Sequence, residues 1–379
     1  MTTDRQRVLI VGGGVGGLEA ALALHAIAPE RFAIRMLSPS SHFTYRPLAV
    51  GEPFGHGRTV AVELARVAED RGFELVRDGL ARVEPNTRRV TTQSGATVAY
   101  DALILAVGAR VSESVTGALT FRGPDDVERF RQALEALVGH EAPRIVFATG
   151  GGASWTLPLY ELALMTAEWA AKRDLPAHIT IVTAEPSALY AFGEAISADV
   201  SQLLRSCHIS VRTLCGAGFV GDAGLHIAGV GDIPADLVVA LPALSGPALA
   251  GLPADSMGFI QVDGLCRVRG LRDVYAVGDA ASHAIKQGGL AAQQADVAAR
   301  VIASRAGEAG RPEPYEPVLR GLLLTGGPPL YLRSPQAEEW SGPAGDPDRI
   351  APWWPPHKIV GAHLAPYLAT HADLLVSSS

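Results

Sequence analysis

Val8-Leu9-Ile10-Val11-Gly12-Gly13-Gly14-Val15-Gly16-Gly17-Leu18-Glu19-Ala20-Ala21 is the stretch from which the rest of the chain is read. An apolar run of the kind a buried parallel strand needs breaks into glycines spaced G-x-G-x-x-G at Gly12, Gly14 and Gly17, and an Ala/Leu-rich helical pattern follows. In such a strand, turn and helix, Gly12 permits the tight turn, Gly14 lets the backbone approach a pyrophosphate, and Gly17 lets helix and strand pack closely. The pyrophosphate then meets unpaired N–H groups and the positive end of the helix dipole. Glycine-rich turns also serve as plain loops, but here strand, helix and position at the N-terminus agree on a dinucleotide seat.

The 379 residues exceed what one core usually fills, so two or more domains are expected. A composition 48% hydrophobic and 19% charged, with 41 glycines, is that of a globular α/β protein with many tight turns. The formal charge of −7 argues against nucleic acid as a partner and against a strongly basic membrane-binding face. The first strand begins within a few residues of the N-terminus, no apolar run reaches transmembrane length, and Cys207, Cys215 and Cys266 make no disulfide framework. A cytoplasmic protein is therefore expected.

Phe32-Ala33-Ile34-Arg35-Met36-Leu37 reads as the second strand, ending at Ser38. An acidic side chain near this point normally bonds the ribose hydroxyls of a dinucleotide; Ser38 offers only a weaker, neutral hydrogen bond. A helix over about 60–71 and short strands over about 75–83 and 89–92 lead to Tyr100-Asp101-Ala102-Leu103-Ile104-Leu105-Ala106-Val107-Gly108-Ala109. Much later, Asp273-Val274-Tyr275-Ala276-Val277-Gly278-Asp279-Ala280 again runs a buried strand into Gly-Asp.

With the opening turn, these two segments resemble the FAD-binding segments of the flavoproteins with two dinucleotide-binding domains. Within that superfamily the chain most resembles the branch holding sulfide:quinone oxidoreductases, flavocytochrome c sulfide dehydrogenases and type II NADH dehydrogenases, over nearly its whole length. The resemblance implies two Rossmann-like domains of glutathione-reductase type, the second inserted in the first, and a C-terminal closing segment. The expected boundaries are 1–110 and 240–310 for the FAD-binding domain, 111–239 for the second domain and 311–379 for the closing segment. Gly12, Gly14, Gly17, Ser38, Ala106, Gly108 and Gly278 then belong to the cofactor seat, with the Asp279 carboxylate on the ribityl chain. A helix starting in Lys286-Gln287-Gly288-Gly289-Leu290 would turn the N–H groups at Gln287 and Gly288 toward the flavin's pyrimidine end, favouring negative charge there. Lys286 either adds to that field or is a solvated residue at a helix start. His42-Phe43-Thr44-Tyr45-Arg46-Pro47-Leu48 is either a loop against the isoalloxazine, with Tyr45 or Arg46 beside it, or a surface loop anchored by its aromatics.

The second unit begins at Arg144-Ile145-Val146-Phe147-Ala148-Thr149-Gly150-Gly151-Gly152-Ala153-Ser154-Trp155, and its next strand, His178-Ile179-Thr180-Ile181-Val182-Thr183, is followed by Glu185. Glu161-Leu162-Ala163 matches the helix motif of NADH-using relatives, but Leu159 then takes the third glycine's place, against an ordinary NAD(H) seat. The Pro-x-Tyr-Glu run at 158–161 is similar to the sulfide-oxidising branch, in which this domain is a structural remnant. That branch attacks sulfide with a cysteine pair, and the counterpart of one cysteine here is Trp155, which supplies no thiolate. Glu161 remains as a candidate general acid/base, or as a helix-start carboxylate stabilised by the dipole. No spacing of His or Cys indicates a metal.

At the C-terminal end a strand is expected within 315–326 and a loop rich in Pro, Gly and acids over 334–348. Trp353-Trp354-Pro355-Pro356-His357-Lys358-Ile359-Val360-Gly361 is similar to the segment closing the flavin pocket in sulfide:quinone oxidoreductase-like proteins, and a helix through Leu364, Leu368 and Leu375 follows. The resemblance implies an acceptor slot at Trp353 and Trp354 and a Lys358 that neutralises reduced flavin; the two tryptophans equally fit a plug between domains. The reading is thus an FAD-dependent oxidoreductase passing electrons from a small donor through flavin to a quinone-like or other acceptor, with no transmembrane span and at most peripheral membrane contact. Glu161 and Lys358 are its candidate catalytic residues, and Gly12, Gly14, Gly17, Ser38, Arg46, Ala106, Gly108, Gly278, Asp279, Gln287 and Gly288 its candidate cofactor residues. Two rivals stand beside it: an NAD(P)H dehydrogenase holding its nucleotide at Gly150, Gly152 and Glu185, and a non-catalytic flavoprotein or FAD-less binding scaffold.

Overall fold

The computed structural model describes residues 5–152, 155–334, 353, 357–371 and 375–377. Two five-stranded parallel sheets carry the molecule. The first has the spatial order Val274–Ala276, Ala102–Leu105, Gln6–Val11, Phe32–Ser38, Glu74–Arg77. The second has the order Leu119–Thr120, Leu237–Leu241, Arg144–Thr149, His178–Val182, Ile209–Arg212. In the first sheet Val274–Ala276 returns beside Ala102–Leu105 from beyond the whole second sheet, which is how the second unit comes to be inserted in the first.

The helices are α1 (Val15–Ile27), α2 (Leu64–Arg71), α3 (Val127–Glu135), α4 (Leu157–Ala171), α5 (Glu194–Ser206), α6 (Gly288–Arg305) and α7 (Leu364–Thr370). Helices α1 and α4 follow from apolar runs that no strand pattern claims, whereas α2 and α3 follow from amphipathic spacing with one buried face. Helices α1 and α6 are buried along most of their length and share one core with α7 and one face of the first sheet. Helix α4 is buried almost all round and belongs to the core of the second unit. An all-round apolar helix of this kind has little choice but the interior.

Three local expectations change. The helix expected over 60–71 divides into a strand, Val60–Glu63, and α2, because the β-branched Val60 and Val62 favour extended backbone and Ala61–Glu63 pairs antiparallel with His42–Thr44. The strand expected within 315–326 narrows to Arg320–Leu323, the length its hairpin partner Leu330–Arg333 can match. The final helix stops at Thr370, and Leu375–Ser377 instead pairs antiparallel with Val60–Glu63. A sheet edge captured the segment whose leucine spacing reads as helical. The expected 334–348 loop beyond Ser334, Trp354, and Ala153 and Ser154 of the second glycine turn lie outside the described residues.

Candidate functional site

The glycine turn after Gln6–Val11 is shaped by close approach. Gly12 has φ +111°, a Cβ there would run into the Ala106 carbonyl, and a Cβ at Gly17 would run into the Gly12 carbonyl. Gly14 differs: a Cβ there would meet no protein atom within 4 Å. As the N-cap of α1 it also makes no side-chain cap, so the first N–H groups of the helix are left for another acceptor. Crowding beneath the turn and an open face above it are what a pyrophosphate-binding turn requires.

Ala106 and Gly108 lie just past the end of Ala102–Leu105, and Gly108 has φ +73°. Past the neighbouring strand Val274–Ala276, Gly278 has φ +67° and donates its N–H to Gln294 Oε1 at 2.7 Å. Ser38 is buried, and its Oγ is engaged with the backbone of Ser40, at 3.1 and 3.2 Å. It therefore closes the turn at the end of its strand, its proton donated to Ser40 O and one of its lone pairs taken by Ser40 N. Gln287 caps α6, its Oε1 accepting from Leu290 N at 2.9 Å while its Nε2 donates to Arg320 O at 3.1 Å.

Beyond this seat the two units and the C-terminal segment enclose a cleft of about 290 Å³. Arg46, Asp279, Lys286, Gln287 and Gly288 line it from the first unit, Trp155, Leu157, Pro158 and Glu161 from the second, and Lys358 and Ile359 from the closing segment. Phe121, Val50, Leu244 and Leu322 make much of the remaining wall apolar. Burial pushes the Asp279 carboxyl above its ordinary range, against the pull of Lys286 and Arg46. Lys286 is itself buried beside the Phe259 ring, 3.8 Å from its centroid, and donates to Ala281 O. Burial pushes its ammonium down to about 8. The choice left open between a field-forming and a solvated lysine is settled for the interior.

At the far side of the cleft Lys358 Nζ donates to Glu161 Oε1 at 2.6 Å, Glu161 Oε2 at 2.8 Å and Pro47 O at 3.0 Å. Leu324 N donates to Glu161 Oε1 at 2.9 Å. Glu161 is fully buried, and desolvation raises its carboxyl despite the Lys358 charge. It is thus one half of an interdomain ion pair, more than a dipole-stabilised helix start. Tyr45 is buried and its hydroxyl accepts from Ile359 N at 2.8 Å, so the aromatic loop at 42–48 clamps the closing segment.

Other candidates fall elsewhere. Trp353 is buried against Tyr331, ring centroids 5.1 Å apart, and is not among the described residues lining the cleft; it plugs. No cysteine lines the cleft: Cys207 and Cys215 pack at the edges of the second unit's cores, and Cys266 is buried in the first core, its thiol pushed up to about 12. In the second unit Glu185 is engaged by the Tyr160 hydroxyl at 2.8 Å and the Thr183 hydroxyl at 3.2 Å, and Leu159 is fully buried. Among the described residues no group of three or more His, Cys, Asp or Glu is placed to hold a metal ion, and no helix is long and apolar enough to cross a membrane. Sequence reasoning gave no sign of the clamp by Tyr45, since its partner Ile359 lies far along the chain, and it missed the cap by Gln287 although Leu290 is three residues away.

Two Rossmann-type units, an open glycine turn and a cleft where they meet are the architecture of an FAD-dependent oxidoreductase. The chain belongs to the pyridine nucleotide-disulphide oxidoreductase family, which it matches over residues 6–296 and whose members bind FAD and NAD(P)H. It is 27% identical over 191 residues to the sulfide-quinone reductase of Aquifex aeolicus, a match covering 48% of this chain and 44% of that protein, less than two thirds of its length. To an NADH dehydrogenase-like protein of Mycobacterium tuberculosis it is 25% identical over 292 residues, 73% of each chain. Its fold superposes on the crystal structure of the sulfide:quinone oxidoreductase from Aquifex aeolicus with a TM-score of 0.77 and 22% identity, covering 86% of this chain and 83% of that one.

Proposed function

We propose that this oxidoreductase passes electrons from a small donor, through FAD, to a quinone-like acceptor that enters the apolar cleft beside Glu161 and Lys358. The observation that carries the reading is the buried Glu161–Lys358 pair, at 2.6 and 2.8 Å, in an otherwise largely apolar wall facing Asp279 and Lys286. A quinone accepts protons with its electrons, and a buried carboxyl raised by desolvation next to an ammonium is suited to hold and release a proton there. FAD supplies the electron chemistry when bound. Gly12, Gly14 and Gly17 with the N-terminus of α1 hold its pyrophosphate, Asp279 its ribityl chain, and Arg46, Lys286 and the N-terminus of α6 at Gln287 and Gly288 favour negative charge on the ring. Ala106, Gly108 and Gly278 let the backbone turn away from it.

The Tyr160–Glu185 contact and Leu159 favour a donor other than a nicotinamide, since the carboxylate that would take a ribose is already bonded within the protein. The relatives named for sulfide-quinone reductase and NADH dehydrogenase supply the two donors to try. The test is an anaerobic absorbance titration of the purified protein at the flavin band with sulfide, NADH and NADPH in separate cuvettes, followed by a water-soluble quinone. Bleaching by sulfide and recovery with quinone supports the reading, bleaching by a nicotinamide reassigns the donor, and reduced flavin that quinone leaves bleached, or a colourless protein, overturns it. Peripheral contact with a membrane, where quinones reside, belongs to the same proposal.

A further inference from the structure

Glu19 lies on α1, outside the lining of the cleft, and is fully buried. Its Oε1 accepts from His363 N at 2.8 Å and its Oε2 from Leu364 N at 2.7 Å, and the Ala362 N–H also faces it. The carboxylate thus caps α7 from a different part of the chain. A Cβ at Gly361 would run into it, so the strand of chain passes directly over Glu19. Against Glu19 stands a second buried carboxyl, Asp296 of α6, whose Oδ1 has no hydrogen-bond donor among the described residues.

We propose that the buried Glu19–Asp296 carboxyl pair is the anchor of the strap 358–364, and that Glu19 is a positioning residue that seats Lys358 against Glu161. The strap is held at three points in succession: Lys358 by Glu161 and Pro47 O, Ile359 by the Tyr45 hydroxyl, and residues 362–364 by Glu19. Only the last of these fixes the direction in which the chain leaves the cleft, and α7 then buries Leu364 and Leu368 in the first core. The catalytic consequence rests on the role given to Lys358 above; the anchoring itself does not.

Two carboxylates cannot both be ionised in contact inside the protein. Burial raises both carboxyls, but backbone N–H groups of 362–364 donate to Glu19 and offset its desolvation, whereas no described residue donates to Asp296 Oδ1, so the shared proton is assigned to Asp296, which donates it to Glu19. The other charged and titratable groups near the pair are Arg300 of α6 and His363 of α7. His363 Nε2 is 3.7 Å from Asp296 Oδ1, and burial holds the imidazole toward its neutral form. Burial and the Glu19 charge together push the Asp296 carboxyl well above its ordinary range. A carboxyl raised in this way contributes stability that is present at low pH and lost as pH rises through its folded value.

Amide hydrogen exchange over residues 358–364 tests the anchor in the flavin-loaded protein without any donor or acceptor, so its outcome is independent of the electron-transfer reading. Glu19→Gln, which turns a donor toward backbone N–H groups, is expected to raise exchange of the 359, 363 and 364 amides by about tenfold or more. Asp296→Asn keeps a permanent donor to Glu19 and is expected to leave the strap as protected as in the wild type. Its melting temperature should gain on that of the wild type as pH rises from about 5 to 9. Equal loss of protection in both variants, a protected strap in Glu19→Gln, or a wild-type and Asp296→Asn pair whose melting curves run parallel with pH would each overturn the proposal.

Discussion

Lys358 Nζ stands 2.6 Å from Glu161 Oε1 across 197 residues of sequence, and the two side chains are 5% and 0% exposed. The pair joins the closing segment to the first turns of α4, so the same contact that completes the cleft also locks the C-terminal segment onto the second unit. A buried pair of this kind is worth little over an apolar substitute, yet it is costly to break from one side.

Lys358→Met leaves Glu161 buried without its partner. The expected result is a loss of about 3–5 kcal/mol of stability by urea denaturation, with quinone reduction falling by about a hundredfold or more. Adding Glu161→Leu to the same protein is expected to recover most of the stability and none of the activity, which separates the packing role from the chemical one.

Lys286 gives a pH dependence with a definite sign. Its folded value of about 8 lies below the ordinary lysine range, so the folded protein releases this proton before the unfolded chain does. The associated stability is present above the unfolded value and is lost as pH falls through about 8. Lys286→Met removes that dependence, so its stability relative to wild type should rise by up to about 3 kcal/mol as pH is lowered from about 10.5 to 8 and stay level just below. Thermal melts across this window check it.

The glycine turn distinguishes holding a cofactor from holding a fold. Gly14→Ala meets no protein atom and sits at an ordinary φ of −84°, so stability of the flavin-free protein is expected to change by less than about 0.5 kcal/mol while flavin occupancy falls sharply. Gly17→Ala drives a methyl into the Gly12 carbonyl and is expected to lower both. Absorbance ratios after purification, with melting of the stripped protein, read the two effects.

Tyr160→Phe leaves Glu185 without its 2.8 Å hydroxyl donor. A loss of about 1–3 kcal/mol in urea denaturation is expected, with flavin content unchanged because the contact belongs wholly to the second unit.

The readable parts of this chain were those in which neighbours in sequence are neighbours in space. Gly12, Gly14 and Gly17 announce a strand, a turn and a helix because the sterics of the turn are local, and the apolar runs 8–11, 102–105 and 274–276 announce buried parallel strands because both faces are covered. The two-unit fold followed from them. Local patterns misled where two conformations suit the same side chains: Leu364, Leu368 and Leu375 keep a helical spacing, but the free edge of Val60–Glu63 supplied hydrogen bonds that turned Leu375–Ser377 into a strand.

By itself, then, the sequence determined the parallel-sheet architecture, the glycine turn between its first strand and helix and the residue types available to the cleft. Only the tertiary structure decided what those residues are. Glu161 and Lys358 became a pair, Lys286 became a buried cation, Tyr45 a clamp and Glu19 an anchor because each meets a partner far away in the chain. Burial then sets their charge state, and no local pattern encodes the desolvation of a carboxylate or an ammonium by segments that fold over it from elsewhere.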